Sequence, residues 1–124
     1  MRKIYYLGTC STCAEILDQT GLRSHGKKLG FTMQDIKTEK ITPAQIDEMK
    51  KMAGSYEALF SRRALKYKEL GLKDVTLTEM DYRRYILEEY TFLKRPVVII
   101  DSRIFIGSEK KTRQELADAV KAIL

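Results

Sequence analysis

Cys10 and Cys13 are the only thiols in the chain, and they stand in the motif Cys10-Ser11-Thr12-Cys13. A thiol at the start of a helix meets the positive end of the helix dipole and unpaired backbone N–H groups. Both favour the thiolate, the form that attacks disulfides and electrophiles. A second thiol three residues on lies one turn into the helix on the same face, within reach of a mixed disulfide formed at the first. The pair reads as a nucleophile, Cys10, and a resolving thiol, Cys13. Backbone N–H groups from Gly8 to Cys13, with the hydroxyls of Thr9, Ser11 and Thr12, also suit a tetrahedral oxyanion. The competing reading is a pair of buried, inert cysteines.

Arg95-Pro96 is a second candidate element. A proline opening a strand accommodates either peptide isomer, and an arginine before it suits an anion held near a thiolate through its charge and planar fork of donors. Arg62 and Arg63 offer the same if the segment carrying them folds over the first helix. His25, the one histidine, sits in the polar run Arg23-Ser24-His25-Gly26-Lys27-Lys28 and reads as a solvated loop residue, not as the base of a nucleophilic triad. With the two cysteines it makes three ligands, one short of the common tetrahedral zinc sites, so no metal is expected.

The elements that must position these residues follow from local pattern. Lys3 to Leu7 is a β-branched and aromatic run ending at Gly8, which predicts a strand and a turn. Cap-type residues Thr9, Ser11 and Thr12 then precede Ala14, Ile16 and Leu17, predicting a helix that ends by Gly21. The cysteines therefore fall at a strand-to-helix junction. After the Gly- and Lys-rich stretch Gly21 to Gly30, Phe31 to Ile36 alternates as a half-buried strand does.

Helices dominate the middle. Thr42-Pro43-Ala44-Gln45 combines a cap, a proline at the first helical position and a capping-box glutamine. A second helix is predicted from about Tyr56 through Leu70, and a third from Thr78 with Asp81 as capping partner, carrying Tyr82, Tyr85, Ile86 and Tyr90 as packing residues. Pro96 to Ile100 and Arg103 to Ile106, separated by Asp101-Ser102, predict an antiparallel hairpin. A last helix is expected from Thr112, with Glu115 in the capping position, burying Leu116, Ala119, Val120, Ile123 and Leu124. The order is β-α-β, a helical block, then β-β-α. At 124 residues, without repeat or linker, the chain is expected to form one α/β domain, 1–124, with the block at about 42–92 as an insertion.

Composition bounds the partners. The net charge of +6 favours anionic ones, but the basic residues are dispersed and no aromatic-interleaved basic patch occurs, so direct nucleic-acid binding is not expected. No run reaches the ~18–20 apolar residues of a membrane span, and no secretory signal opens the chain. The expected location is the cytoplasm, where thiols stay reduced and the pair is no structural staple.

Four blocks, in order and over nearly the whole chain, resemble the arsenate reductase (ArsC)/Spx family. They are Cys10-Ser11-Thr12-Cys13; Leu59-Phe60-Ser61-Arg62-Arg63 with Tyr67-Lys68-Glu69-Leu70-Gly71-Leu72; Leu93-Lys94-Arg95-Pro96-Val97-Val98-Ile99-Ile100; and Ile104-Phe105-Ile106-Gly107. The resemblance implies a thioredoxin-like fold with a mixed four-stranded sheet and a helical insertion. It implies that Cys10 is the reactive thiol, that Arg95-Pro96 is a cis-proline element beside it, and that Arg63 belongs to the anion-binding arginines. Glutathione-coupled arsenate reductases of this family form a cysteine adduct with arsenate and regenerate it with glutathione and glutaredoxin.

The chain departs from that pattern. Ala14 stands where an arginine four residues after the nucleophile is expected, Gly107 in the place of the third anion-binding arginine, and Ser61 in that of the first, leaving Arg62 or Arg63 as substitute. The cysteine pair and Gly107 are closer to the Spx branch, whose members sense oxidation and bind RNA polymerase. Against that branch, Ser55 stands where the resemblance calls for a glycine, with Gly54 displaced by one residue, and the Gly21 to Gly30 stretch is longer.

The expectation is an arsenate-reductase-like thiol–disulfide oxidoreductase acting on a small oxyanion or disulfide. Cys10 and Cys13 are its catalytic residues, and Ser11, Thr12, Arg62, Arg63, Arg95 and Pro96 its anion-binding residues. It would bind no cofactor and draw electrons from glutathione or from a thioredoxin or glutaredoxin protein. The alternative is a redox-responsive regulator docking on RNA polymerase.

Overall fold

The computed structural model describes residues 1–124. Along the chain run β1 (Arg2–Tyr6), α1 (Ser11–Gln19), α2 (Leu22–His25), β2 (Thr32–Asp35), α3 (Pro43–Ala53), α4 (Leu65–Glu69), α5 (Glu79–Glu88), β3 (Val97–Ile100), β4 (Arg103–Ile106) and α6 (Lys110–Ile123), with 3-10 turns at Glu57–Leu59, Leu72–Asp74 and Tyr90–Phe92. The chain divides into two compact units, one formed by Met1–Glu39 with Arg95–Leu124 and the other by Lys40–Lys94.

The first unit is a four-stranded mixed sheet in the order β2-β1-β3-β4, as expected. β1 and β2 are parallel, so a crossover must join them, and α1 and α2 supply it. β1 pairs antiparallel with β3, and β3 with β4. Ile4, Val98 and Phe105 lie in one cross-strand row. With Ile100 they pack against Ile16 and Leu17 of α1, Leu22 of α2 and Leu116, Ala119 and Val120 of α6. Full burial of each large aliphatic side chain stabilises the fold by about 1.5–3 kcal/mol, and this layer fixes α1 against the strand that precedes it. All four residues of β3, an interior strand, are buried.

In the second unit, Thr42 and Gln45 close a capping box at the start of α3, and Thr78 and Asp81 close another at α5, as the sequence predicts. Asp47 accepts hydrogen bonds from Arg83 (2.8 and 3.2 Å) and from the Tyr56 hydroxyl, tying α3 to α5. Phe60 stacks on Phe92 with ring centroids 4.9 Å apart and meets Tyr82 at the same separation, so this tyrosine packs as expected.

Several local expectations fail for nonlocal reasons. No continuous helix runs from Tyr56 to Leu70. The chain is helical only at Glu57–Leu59 and Leu65–Glu69, because Phe60 is drawn into a bridge with Leu93. The Ser61 N–H donates to the Phe92 carbonyl (2.7 Å) and the Lys94 N–H to the Leu59 carbonyl (2.8 Å), which holds the backbone extended there. His25 is exposed but sits in the short helix α2, not in a loop, since Leu22 is anchored in the core. α6 begins at Lys110 with Glu109 as its cap residue, ahead of Thr112, and Leu124 is exposed. Tyr90 falls outside α5, in a 3-10 turn.

Candidate redox site

The cysteine motif opens α1 as predicted. Cys10 is the N-cap residue, with extended backbone (φ −91°, ψ 112°), and its carbonyl accepts the Ala14 N–H at 3.2 Å. Its own N–H donates to the Leu7 carbonyl at 3.0 Å, closing the turn between β1 and α1. No side chain caps α1 and no acidic residue sits in its first turn. The first-turn N–H groups therefore face the Cys10 sulfur without a competing carboxylate.

Both cysteines are free thiols, Cys10 half-buried and Cys13 only 1% exposed. Burial alone would raise the Cys10 thiol. The Cys13 N–H, the Cys13 thiol, the Arg95 charge and the Thr12 N–H outweigh it, and together they hold Cys10 below the ordinary value of 9.0. Cys13 is pushed up to about 11, by burial first and then by the neighbouring Cys10 charge, although the Leu7 N–H and Arg95 pull the other way. The outer sulfur is thus poised to ionise and the inner one to keep its proton.

Arg95 and Pro96 arrive through the sheet. Val97 pairs with Tyr5, so the two preceding residues fall beside the end of β1, from which Leu7, Gly8 and Thr9 lead to Cys10. The Arg95–Pro96 peptide bond is cis. The Pro96 carbonyl accepts the Gly107 N–H at 2.9 Å, which brings the end of β4 to the same end of the sheet. Ser11 is exposed and Thr12 half-buried in the first turn of α1, and of the two Thr12 reaches the Cys10 sulfur through its backbone.

The first unit therefore brings together Cys10, Cys13, Ser11, Thr12, Arg95 and Pro96. Arg62 and Arg63 belong to the second. Arg62 donates to Glu57 (2.8 Å) and to the Tyr82 hydroxyl (3.0 Å) and lies over the Phe60 and Tyr82 rings, so its guanidinium is committed within its own unit. Arg63 is exposed. No three His, Cys, Asp or Glu side chains stand together as metal ligands, and no helix is long and apolar enough to cross a membrane.

Two contacts escaped the sequence reading. The Gly8 N–H donates to Asp35 Oδ2 at 3.2 Å, linking the residue before Thr9-Cys10 to the end of β2. Arg113 donates to Glu15 Oε1 (2.9 Å), linking α6 to α1, and also to the carbonyl of Ser108 just ahead of α6 (2.7 Å). The Gly8–Asp35 and Glu15–Arg113 contacts span 27 and 98 residues, so no local pattern announces either one.

Comparison with known proteins bears on the family and the fold. The ArsC family model matches residues 5–116. No curated protein matches significantly. Solved structures of the same fold include the arsenate reductase from Vibrio cholerae (19% identity, TM-score 0.72, covering 99% of this chain and 97% of that one). An arsenate reductase (ArsC) related protein from Brucella melitensis aligns at 22% identity and a TM-score of 0.67, covering 92% of each chain. A Staphylococcus aureus protein aligns at 25% identity and a TM-score of 0.67, covering 93% of this chain and 97% of that one.

Proposed function

This chain belongs to the ArsC family, and from that premise we propose that it is a thiol–disulfide oxidoreductase of the arsenate-reductase type, working on Cys10 and Cys13. The observation that carries the reading is the asymmetry of the pair: a half-buried Cys10 held toward the thiolate by two backbone N–H groups and Arg95, beside a buried Cys13 that keeps its proton.

With a disulfide substrate, the Cys10 thiolate attacks one sulfur, forms a mixed disulfide and expels the other half as a thiolate. Cys13 then loses its proton and attacks the Cys10 sulfur. The second half leaves as a thiolate and the Cys10–Cys13 disulfide remains, two electrons having passed to the substrate. With arsenate, Cys10 displaces an arsenate oxygen as water. Attack of Cys13 on the Cys10 sulfur then pushes the electron pair onto arsenic, leaving arsenite and the same disulfide. First-turn N–H groups and Arg95 stabilise the negative charge.

The order of events follows from the coupling between the thiols. Part of what raises Cys13 is the charge on Cys10, and that charge disappears once Cys10 is bonded to substrate. Adduct formation therefore makes Cys13 more acidic when its thiolate is needed. Glutathione, thioredoxin or glutaredoxin would reduce the disulfide, and a cytoplasmic location would maintain the dithiol.

A second reading, an Spx-like regulator that binds RNA polymerase, draws on Ala14 and Gly107, which occupy places where the resemblance to arsenate reductases calls for arginine. One assay separates the two. Wild type and Cys10→Ser are given arsenate or a glutathionylated protein, with the thioredoxin and glutaredoxin systems in separate arms. The proposal predicts turnover in at least one wild-type arm and none with Cys10→Ser. Turnover that survives the substitution refutes Cys10 as nucleophile. A wild type that oxidises to the disulfide without turning over in any arm favours the regulator.

A further inference from the structure

We propose that Asp35 is the positioning residue of the Cys10 site: its carboxylate clamps the backbone at Gly8 and so fixes where α1 begins beneath the thiol. The inference rests on the reading of Cys10 as the nucleophile. Asp35 is itself well anchored. It ends β2 opposite Tyr6, and the next residue, Ile36, donates its N–H to the Tyr6 carbonyl at 2.9 Å. Asp35 Oδ1 accepts the Lys37 N–H at 3.0 Å, and its carbonyl accepts the Thr38 and Glu39 N–H groups at 3.2 and 2.8 Å. The remaining oxygen, Oδ2, accepts the Gly8 N–H at 3.2 Å.

Gly8 is shaped to this contact. A Cβ on Gly8 would stand 2.6 Å from Asp35 Oδ2, closer than a carbon and an oxygen can approach, while Gly8 is not in the left-handed conformation reserved for glycine. The demand for glycine here is thus a demand for room beside the carboxylate. Gly8–Thr9 is tethered on both sides, at Gly8 by Asp35 and at Cys10 by the Leu7 carbonyl. Those tethers decide where the Thr12 and Cys13 N–H groups and Arg95 stand relative to the Cys10 sulfur. Asp35 acts through the backbone and touches no reacting atom.

The clamp and a mere nearby charge have opposite signatures. Removing a negative charge helps a thiolate form, whereas releasing the clamp lets its stabilising donors drift. The test is the pH profile of Cys10 alkylation by iodoacetamide, read at the Cys10 peptide by mass spectrometry in the full-length reduced protein. With Asp35→Ala, the midpoint should move up and the rate at pH 7 fall about fivefold, with the high-pH limiting rate retained. Asp35→Asn, which keeps one acceptor oxygen for two N–H donors, should fall between wild type and Asp35→Ala and provides the test should the alanine variant not fold. Gly8→Ala should move the profile the same way, but should add little in the Asp35→Ala background, because the obstructing oxygen is gone.

A midpoint that moves down or stays put in the Asp35 variants would overturn the proposal, as would additive effects of the two alanines. A wild-type Cys10 that titrates as an ordinary thiol would overturn both this assignment and the reading of Cys10 as an activated nucleophile. A low wild-type midpoint untouched at Asp35 would overturn this one alone.

Discussion

The two sulfurs differ because the first turn of α1 treats them differently. Cys10, at the cap, gathers the N–H groups and the Arg95 charge, while Cys13 points into the core and pays the desolvation cost of ionising there. That cost makes stability depend on pH. The Cys13 thiol titrates at about 11 against an ordinary 9.0, so between those values the unfolded chain has lost a proton that the folded chain keeps. Unfolding there releases a proton, and stability falls as pH rises. Below pH 9 the contribution is fully present, and by about pH 11 on the order of 2–3 kcal/mol is lost. Denaturant unfolding of wild type and Cys13→Ala across this window should show a steeper decline in the wild type; parallel declines would contradict the assignment. At this scale the sequence disclosed the pair and its place at the start of α1, since thiol spacing and helix-start signals are local properties. It disclosed nothing of Asp35, whose partner lies 27 residues away.

Among the elements, legibility tracked how local the determining contacts are. The starts of α3 and α5 are written in four residues each, and both capping boxes form. Thr42→Ala removes the acceptor for the Gln45 N–H (3.1 Å) and should cost about 1 kcal/mol in thermal or chemical unfolding, with Thr42→Ser retaining most of it. A loss near zero would mean that α3 is set by packing of Ile46 and Met49 alone. The segment Tyr56 to Leu70 misled because its helical composition is overruled at Phe60 by pairing with Leu93. β2 carries a similar lesson: Met33 is 47% exposed while Gln34 is buried, its amide donating to the Glu39 carbonyl at 3.1 Å. A polar residue with a backbone partner took the interior place that alternation offered to either face.

For the molecule as a whole, the sheet order β2-β1-β3-β4 does the decisive work for chemistry. Two interior strands, β1 and β3, run antiparallel, so the end of one and the start of the other meet, bringing Cys10 and Arg95 together from positions 85 residues apart (95 − 10). Four short sequence blocks carried this arrangement by resemblance, and the family match over residues 5–116 bears out the family and the fold. What they could not carry was how the arginines are held: Arg62 is bound to Glu57 and Tyr82 within the second unit, and the Arg95 charge reaches both sulfurs. The central claim, that Cys10 attacks and Cys13 resolves, is tested most directly by adding glutathione disulfide to the reduced protein and mapping the products by mass. Wild type should pass to the internal Cys10–Cys13 disulfide, Cys13→Ser should stop with glutathione on Cys10, and Cys10→Ser should stay reduced. Glutathione accumulating on Cys13, or reaction of Cys10→Ser at the wild-type rate, would contradict it.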